Sequence, residues 1–205
     1  MRAIICFIVV FLVALPCHAQ EAAKKEEVRD KTADYYPMKA GTKWHYIGEL
    51  PNGRKFVFLT QIAWTKQVDG RPMARVETIV GGHLKSAEEI GIDAAGIFRY
   101  SEDGDAISPP APLLKFPIKE DATWTTELNI RDKTAKMTGK TGKWEKVVVP
   151  AGTYRAIPVQ IEMTVEDFHM QTTSWYAPGV GIVKQTVERQ GQQVKRELSK
   201  YEAGH

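Results

Sequence analysis

Residues 155–165 constrain this chain more than any other stretch. Ile157, Val159, Ile161, Met163 and Val165 alternate with Ala156, Pro158, Gln160, Glu162 and Thr164. A period of two puts one set on each side of an extended strand, so the segment belongs to a sheet with one buried face. It lies inside a longer stretch, Trp144 to Glu188. There, β-branched and aromatic runs are broken by Pro150-Ala151-Gly152, Glu166-Asp167 and Ala177-Pro178-Gly179. Such punctuation predicts an antiparallel meander. Gly179 and Gly181 flank Val180 in a β-forming run. Glycine inside a strand marks a bulge or a bend, so a tight bend is expected after Pro178 with positive φ at one of the two.

The rest of the chain reads the same way. Runs around Trp44, Phe56–Trp64, Met73–Val80, Leu84–Ile92, Ile97–Ser101 and Trp124–Ile130 are strand-like, as is a last one over Val194–Tyr201. That last run alternates Val194, Arg196, Leu198 and Lys200. Asn52-Gly53 predicts a type I′ hairpin turn, because both residues tolerate positive φ. Glu102–Pro112 reads as a Gly/Asp/Pro loop, and Arg131–Gly142 as an exposed polar hairpin. No long helical period runs through residues 35–205. About ten short strands with regular turn signals predict an all-β fold, a curved antiparallel sheet closing into a part-open barrel or a sandwich.

The chain also echoes itself. Tyr36-Pro37-Met38-Lys39 precedes Trp44, and Phe116-Pro117-Ile118-Lys119 precedes Trp124, at a separation of 80 residues. Trp64 and Trp144 follow their partners at the same spacing. Gly96-Ile97-Phe98-Arg99 matches Gly181-Ile182-Val183-Lys184 with five more residues between. Two similar halves are expected, about 35–101 and 115–188. Each would expose one apolar face, and the two faces would close one core.

The first residues carry a different signal. Arg2, the apolar run Ala3–Leu15 and Pro16-Cys17-His18-Ala19 form the charged, apolar and small-residue regions of a secretory signal peptide. The apolar run is shorter than the ~20 residues a spanning helix needs. A signal helix over 1–19, cleavage near Ala19, and a periplasmic or extracellular mature chain that begins with a charged linker over 20–34 are expected. Both cysteines, Cys6 and Cys17, fall in the removed segment, so residues 35–205 must fold on their core alone as a single β domain. The formal charge of +3 becomes +2 when Arg2 is lost. That is too small to argue for nucleic acid or an anionic membrane as a partner.

Several of these marks resemble one bacterial group. Tyr35-Tyr36-Pro37, Gly41, Trp44, Val149–Tyr154 and Trp175–Lys184 are similar to the motifs of exported TapB-like proteins, a family built on a domain of unknown function. The resemblance implies a curved antiparallel sheet like the half-barrels of envelope lipoprotein carriers. It supplies no catalytic residue.

The residues themselves offer little chemistry. His45, His83, His169 and His205 are isolated, with no metal-ligand spacing. Ser101-Glu102-Asp103-Gly104-Asp105 lacks the frame of a calcium loop and reads as a turn. There is no nucleophile elbow and no phosphate-cradling loop. No cofactor, metal or catalytic residue is expected. The aromatic residues carry what functional content there is. Trp175 and Tyr176 are adjacent on one strand and must face opposite sides. Trp44, Trp124, Trp175 and Tyr176 are the expected wall of any apolar groove, since wide amphipathic rings can face both core and ligand. Three functions then fit, in this order: non-catalytic binding of a lipid-like ligand or protein segment in the sheet's concavity, a structural partner for other envelope proteins, and a hydrolase.

Overall fold

The structure is a computed structural model that describes residues 35–204. The expected signal segment and charged linker, residues 1–34, and His205 lie outside the described residues. Thirteen strands follow one another: β1 (Lys43–Glu49), β2 (Lys55–Val68), β3 (Arg71–Val80), β4 (His83–Asp93), β5 (Gly96–Glu102), β6 (Asp105–Lys115), β7 (Thr123–Ile130), β8 (Lys133–Thr141), β9 (Glu145–Val149), β10 (Gly152–Val165), β11 (Phe168–Ala177), β12 (Gly181–Arg189) and β13 (Gln192–Glu202). Among the described residues there is no helix.

All pairings are antiparallel. Neighbours in sequence are neighbours in space, except that β8 pairs with β10 and leaves β9 outside the ring. Two further pairings close the wall: β10 with β11, and β1 with β13. The result is a closed twelve-stranded barrel with one extra strand, more complete than the part-open form the sequence predicts. The turns explain why a simple meander can curl this far. Asp69-Gly70, Gly81-Gly82, Asp103-Gly104, Arg131-Asp132 and Gln190-Gly191 all hold two consecutive positive φ values. That is the type I′ geometry, whose twist matches the right-handed twist of the strands it joins.

Four local expectations need correction. At Asn52-Gly53 only Gly53 has positive φ. Gly53 N–H donates to Leu50 O at 2.8 Å and Leu50 N–H to Arg54 O at 3.0 Å, a three-residue loop in place of the type I′ turn. Most of the expected Glu102–Pro112 loop is strand β6. Its prolines fall where the ladder is already broken, since β6 and β7 exchange only the Ile107↔Ile130 and Ser108↔Asn129 pairs. A strand can carry proline where no N–H is needed. The expected exposed hairpin over 131–142 is the tip of β7–β8 followed by a full wall strand. Ala135, Met137 and Thr141 of β8 are buried. Small inward residues hid this strand's apolar face among its outward lysines. On β13, a register shift opposite His45/Tyr46 ends the alternation after Leu198, so Lys200 lies outside.

The marks of the sequence echo have definite places. Trp44 and Trp124 are each the second residue of their strand, β1 and β7, and both are buried. Gly96 and Gly181 each open theirs, β5 and β12. Counted round the wall, each pair stands six strands apart.

The core gathers at one end. A ring of about eight strands is just filled by its own side chains, and twelve leave a lumen. The chain stoppers one end of that lumen with two pieces. The segment before β1 brings Tyr35 and Tyr36, with Tyr36 packed on Trp44 at 5.7 Å between ring centroids. The β9–β10 hairpin brings Val147 and Val149, both buried. Its Pro150-Ala151-Gly152 turn reaches β13, three strands further round, where Ala151 N–H donates to Leu198 O at 2.9 Å. Ile90, Ile97, Leu114, Ile157, Val183 and Leu198 complete this packed end. The expected bend after Pro178 is present, with Gly179 at φ 75° and Gly181 at φ 93°. It turns Val180 O toward Trp44, whose indole N–H donates to it at 2.6 Å.

Candidate functional site: a chamber inside the barrel

Above the packed end the lumen stays open. It forms a chamber of about 330 Å³, the size of small-ligand sites. Its walls come from the inward-facing positions of almost every strand, so the twofold alternation that makes each strand also decides what the chamber presents. Two kinds of surface meet in it. Ile107, Leu128, Ile130, Met137, Ile161, Met163, Met170 and Val187 supply the apolar part. Thr60, Glu88, Arg99, Ser174, Gln185, Arg196 and the rings of Tyr36 and Tyr176 supply the polar part. A second pocket of about 210 Å³, lined by Phe56, Phe58, Val80 and Val194, shares Thr78, Gln185, Val187 and Arg196 with it.

Depth follows burial. Ile90 and Tyr176, on the stoppered side, are fully buried, whereas Ile130, Met163, Met170 and Val187 are half-buried. The latter four belong to the strand ends nearest the turns at 131–132, 166–167 and 190–191. The chamber therefore opens toward those hairpin tips and is blind at the other end.

The charges are arranged unequally. Arg99 on β5 reaches Glu88 of β4 at 3.0 Å and Glu102 at 3.4 Å. Burial works against its charge, but Glu88 and then Glu102 outweigh that and hold its pKa above the usual arginine value. Arg196 on β13 forms no ion pair among the described residues. Its guanidinium lies 4.9 Å from the ring centre of Tyr46 and 5.9 Å from that of Phe58, a cation–π contact with a pair of stacked rings. Ser174 and Gln185 hydrogen-bond to each other at 2.7 Å nearby. Burial raises the pKa values of Tyr36 and Tyr176 well above the ordinary phenol value, and that of Tyr46 to about 12, so all three rings are neutral donors. The Tyr46 hydroxyl is used in the wall, donating to Ile182 O at 2.6 Å.

Of the four aromatic residues expected at a groove wall, one is there. Tyr176 lines the chamber. Trp44 is part of the stopper. Trp124 packs flat against Gly139, where a Cβ would come within 2.1 Å of its ring, and its indole N–H donates to Pro112 O at 3.3 Å. It covers the break between β6 and β7. Trp175 faces out, as its neighbour Tyr176 faces in. Its indole N–H donates to Glu145, and Lys184 sits 4.8 Å over the ring. Ring size alone does not distinguish stopper, seam and outer face.

Sequence reasoning missed Glu88, Arg99, Arg196 and the three methionines of the chamber. A signal existed. Arg196 stands between Val194 and Leu198 on the apolar side of an alternating run, and Arg99 follows Ile97 in the same phase. A cation in phase with buried apolar residues has no solvent to face, and in a barrel that side is the lumen. His45 turned out to have a partner, Glu202 at 2.9 Å, but both are well exposed and no histidine lines the chamber.

Known proteins with this architecture can now be set beside it. The sequence pattern of the DUF3108-like family matches residues 115–195. No curated protein matches the chain in sequence. Among solved structures, a presumed lipoprotein of Parabacteroides distasonis is similar with a TM-score of 0.54 and 16% identity, over 82% of this chain and 98% of its own. A presumed exported protein of Bacteroides fragilis, described as having a YmcC-like fold, is similar with a TM-score of 0.51 and 14% identity over the same shares. At such identities the likeness is one of fold. The barrel is thus of the YmcC-like type. The matched segment 115–195 carries the second half of the wall together with the β9–β10 stopper.

Proposed function

We propose that this chain is an exported, non-catalytic binding protein that holds a small apolar or amphiphilic ligand inside its barrel. The chamber carries the reading. Side chains of twelve strands could have been chosen large enough to fill more of the lumen. Instead small Ala111 and Ser174 stand at lining positions, and flexible methionines line the open side. Methionine adapts to ligands of varied shape better than a branched side chain does. The scaffold alternative needs a bare sheet edge to dock a partner; the wall closes through β1–β13 and β10–β11, which leaves only β9 and the β6–β7 break as places where a strand could add. Export is supported by the secretory pattern of residues 1–19 and by the exported or lipoprotein descriptions of proteins sharing the fold. Membership of the TapB-like group rests on the motifs at 149–154 and 175–184.

The test is native mass spectrometry of the protein purified from its own cell envelope, followed by delipidation and displacement of an environment-sensitive apolar dye. Retained small-molecule mass, or saturable displacement by a lipid, supports the reading. A ligand-free protein that neither takes up the dye nor responds to any amphiphile below aggregation removes it.

A further inference from the structure

The chamber's polar atoms say more about its occupant than its volume does. Among the described residues four buried side-chain polar atoms lack a hydrogen-bond partner: Thr60 Oγ1, Arg71 Nε, Arg99 Nε and Arg196 Nε. Three of these four belong to residues that line this one chamber. Arg71, the fourth, is on the outer side near Asp93. Buried donors without partners are costly, and buried charges without partners more so. Arg99 has its charge balanced by Glu88 and Glu102. Arg196 has only aromatic faces, which leave the edge of its guanidinium and its Nε–H unused. Arg196 also stands where the two pockets meet, at the inner end of the apolar walls.

From this we infer that the ligand is a single-chain amphiphile with a carboxylate head, bound head-inward against Arg196 with its tail among Ile130, Met137, Met163 and Met170. The inference rests on the binding role proposed above and narrows it. A carboxylate is planar and accepts two parallel hydrogen bonds from a guanidinium edge. It would pair with the one lumen arginine that has no carboxylate within ion-pair distance among the described residues. A cationic head would be repelled by Arg196 itself, and its natural partners, Glu88 and Glu102, are already committed to Arg99. They also set the polarity, because a second free carboxylate elsewhere in the chamber would meet them as a like charge. Neutral Tyr36 and Tyr176 offer further donors at the blind end, and the half-buried methionines leave room for the chain to run toward the mouth.

The experiment uses the delipidated mature protein, with decanoate, decanol and acetate as calorimetric titrants, on the wild type and on Arg196→Gln and Arg196→Lys. Decanoate should bind at least about tenfold more tightly than decanol, the difference expected of one charge-assisted contact, and acetate should not bind. Arg196→Gln should remove that preference, weakening decanoate far more than decanol, and Arg196→Lys should keep part of it. Equal binding of decanoate and decanol by the wild type overturns the carboxylate inference but leaves the apolar-binding role standing. Failure of both to bind overturns both. The wild-type comparison decides the question even if Arg196→Gln does not fold.

Discussion

The two ends of the barrel are built from the same strands and solve opposite problems. At the stoppered end Ile90, Val183 and Leu198 are wholly shielded, and tyrosine and tryptophan rings interlock beneath them. At the mouth the inward side chains of those same strands stay half-buried around open space. Stability is concentrated where aromatic mass and the β9–β10 hairpin fill the ring, and the mouth is left free to accommodate something else. Strand pattern alone does not separate the ends, since both alternate in the same phase.

Substitutions should separate them, and the largest effect belongs to the stopper. Trp44→Ala removes a ring packed on Tyr36 and Tyr201 and a hydrogen bond to Val180 O. Its expected cost is about 3–5 kcal/mol by denaturant unfolding. A cost below about 1 kcal/mol would mean that the closed end does not carry the fold. Alkali should attack the same end. Burial raises the pKa of Tyr36, Tyr46 and Tyr176, so each stays protonated in the folded state after the unfolded chain has lost its proton. Their stabilising effect is complete below pH ~10 and is lost as pH rises beyond it, by about 1.4 kcal/mol per pH unit for each tyrosine. Urea midpoints followed into that range should fall. A flat profile through pH ~11 would show these phenols ionising freely.

Smaller effects sharpen the contrast. Gly181→Val places a β-branched residue at φ 93° beside the stopper. Steric space is adequate, with nothing closer than 3.7 Å to a Cβ, so the cost is conformational and about 1–3 kcal/mol. The same measurement on Gly181→Ala should give less. Met170→Ala, at the mouth, should cost about 1 kcal/mol or less, because a half-buried side chain beside an open chamber leaves little new cavity. Its signature should lie in ligand binding instead, as weaker uptake of decanoate and decanol alike.

Much of the wall was legible in the chain. Residues 155–165 alternate as β10 does, and the bend at Gly179–Gly181 lies where glycine in a strand demanded it. Strands β6 and β8 were hidden for different reasons. Prolines disguise β6 because proline argues against a ladder, and here the ladder is broken on the β7 side alone. Lysines and threonines disguise β8 because its inward residues are small. The site was harder to see. Aromatic size pointed to Trp44, Trp124 and Trp175, which went to the stopper, the seam and the outside. Arg99 and Arg196 do not stand out as site residues, because the sequence shows that a strand has two faces without showing that one of them encloses a cavity.

The ring is sealed by its first and last strands: Lys43 of β1 lies opposite Glu202 of β13. A chain that emerges in order from its N-terminus must therefore hold β1 unpaired on one side until the final strand has arrived. Contacts of such sequence separation form late and slowly. Throughout that interval the nascent sheet carries two sticky margins that the finished barrel lacks. The step most exposed to misassembly is thus the delivery of the C-terminal strand, and truncation within β13 should turn a closed barrel into an aggregating sheet.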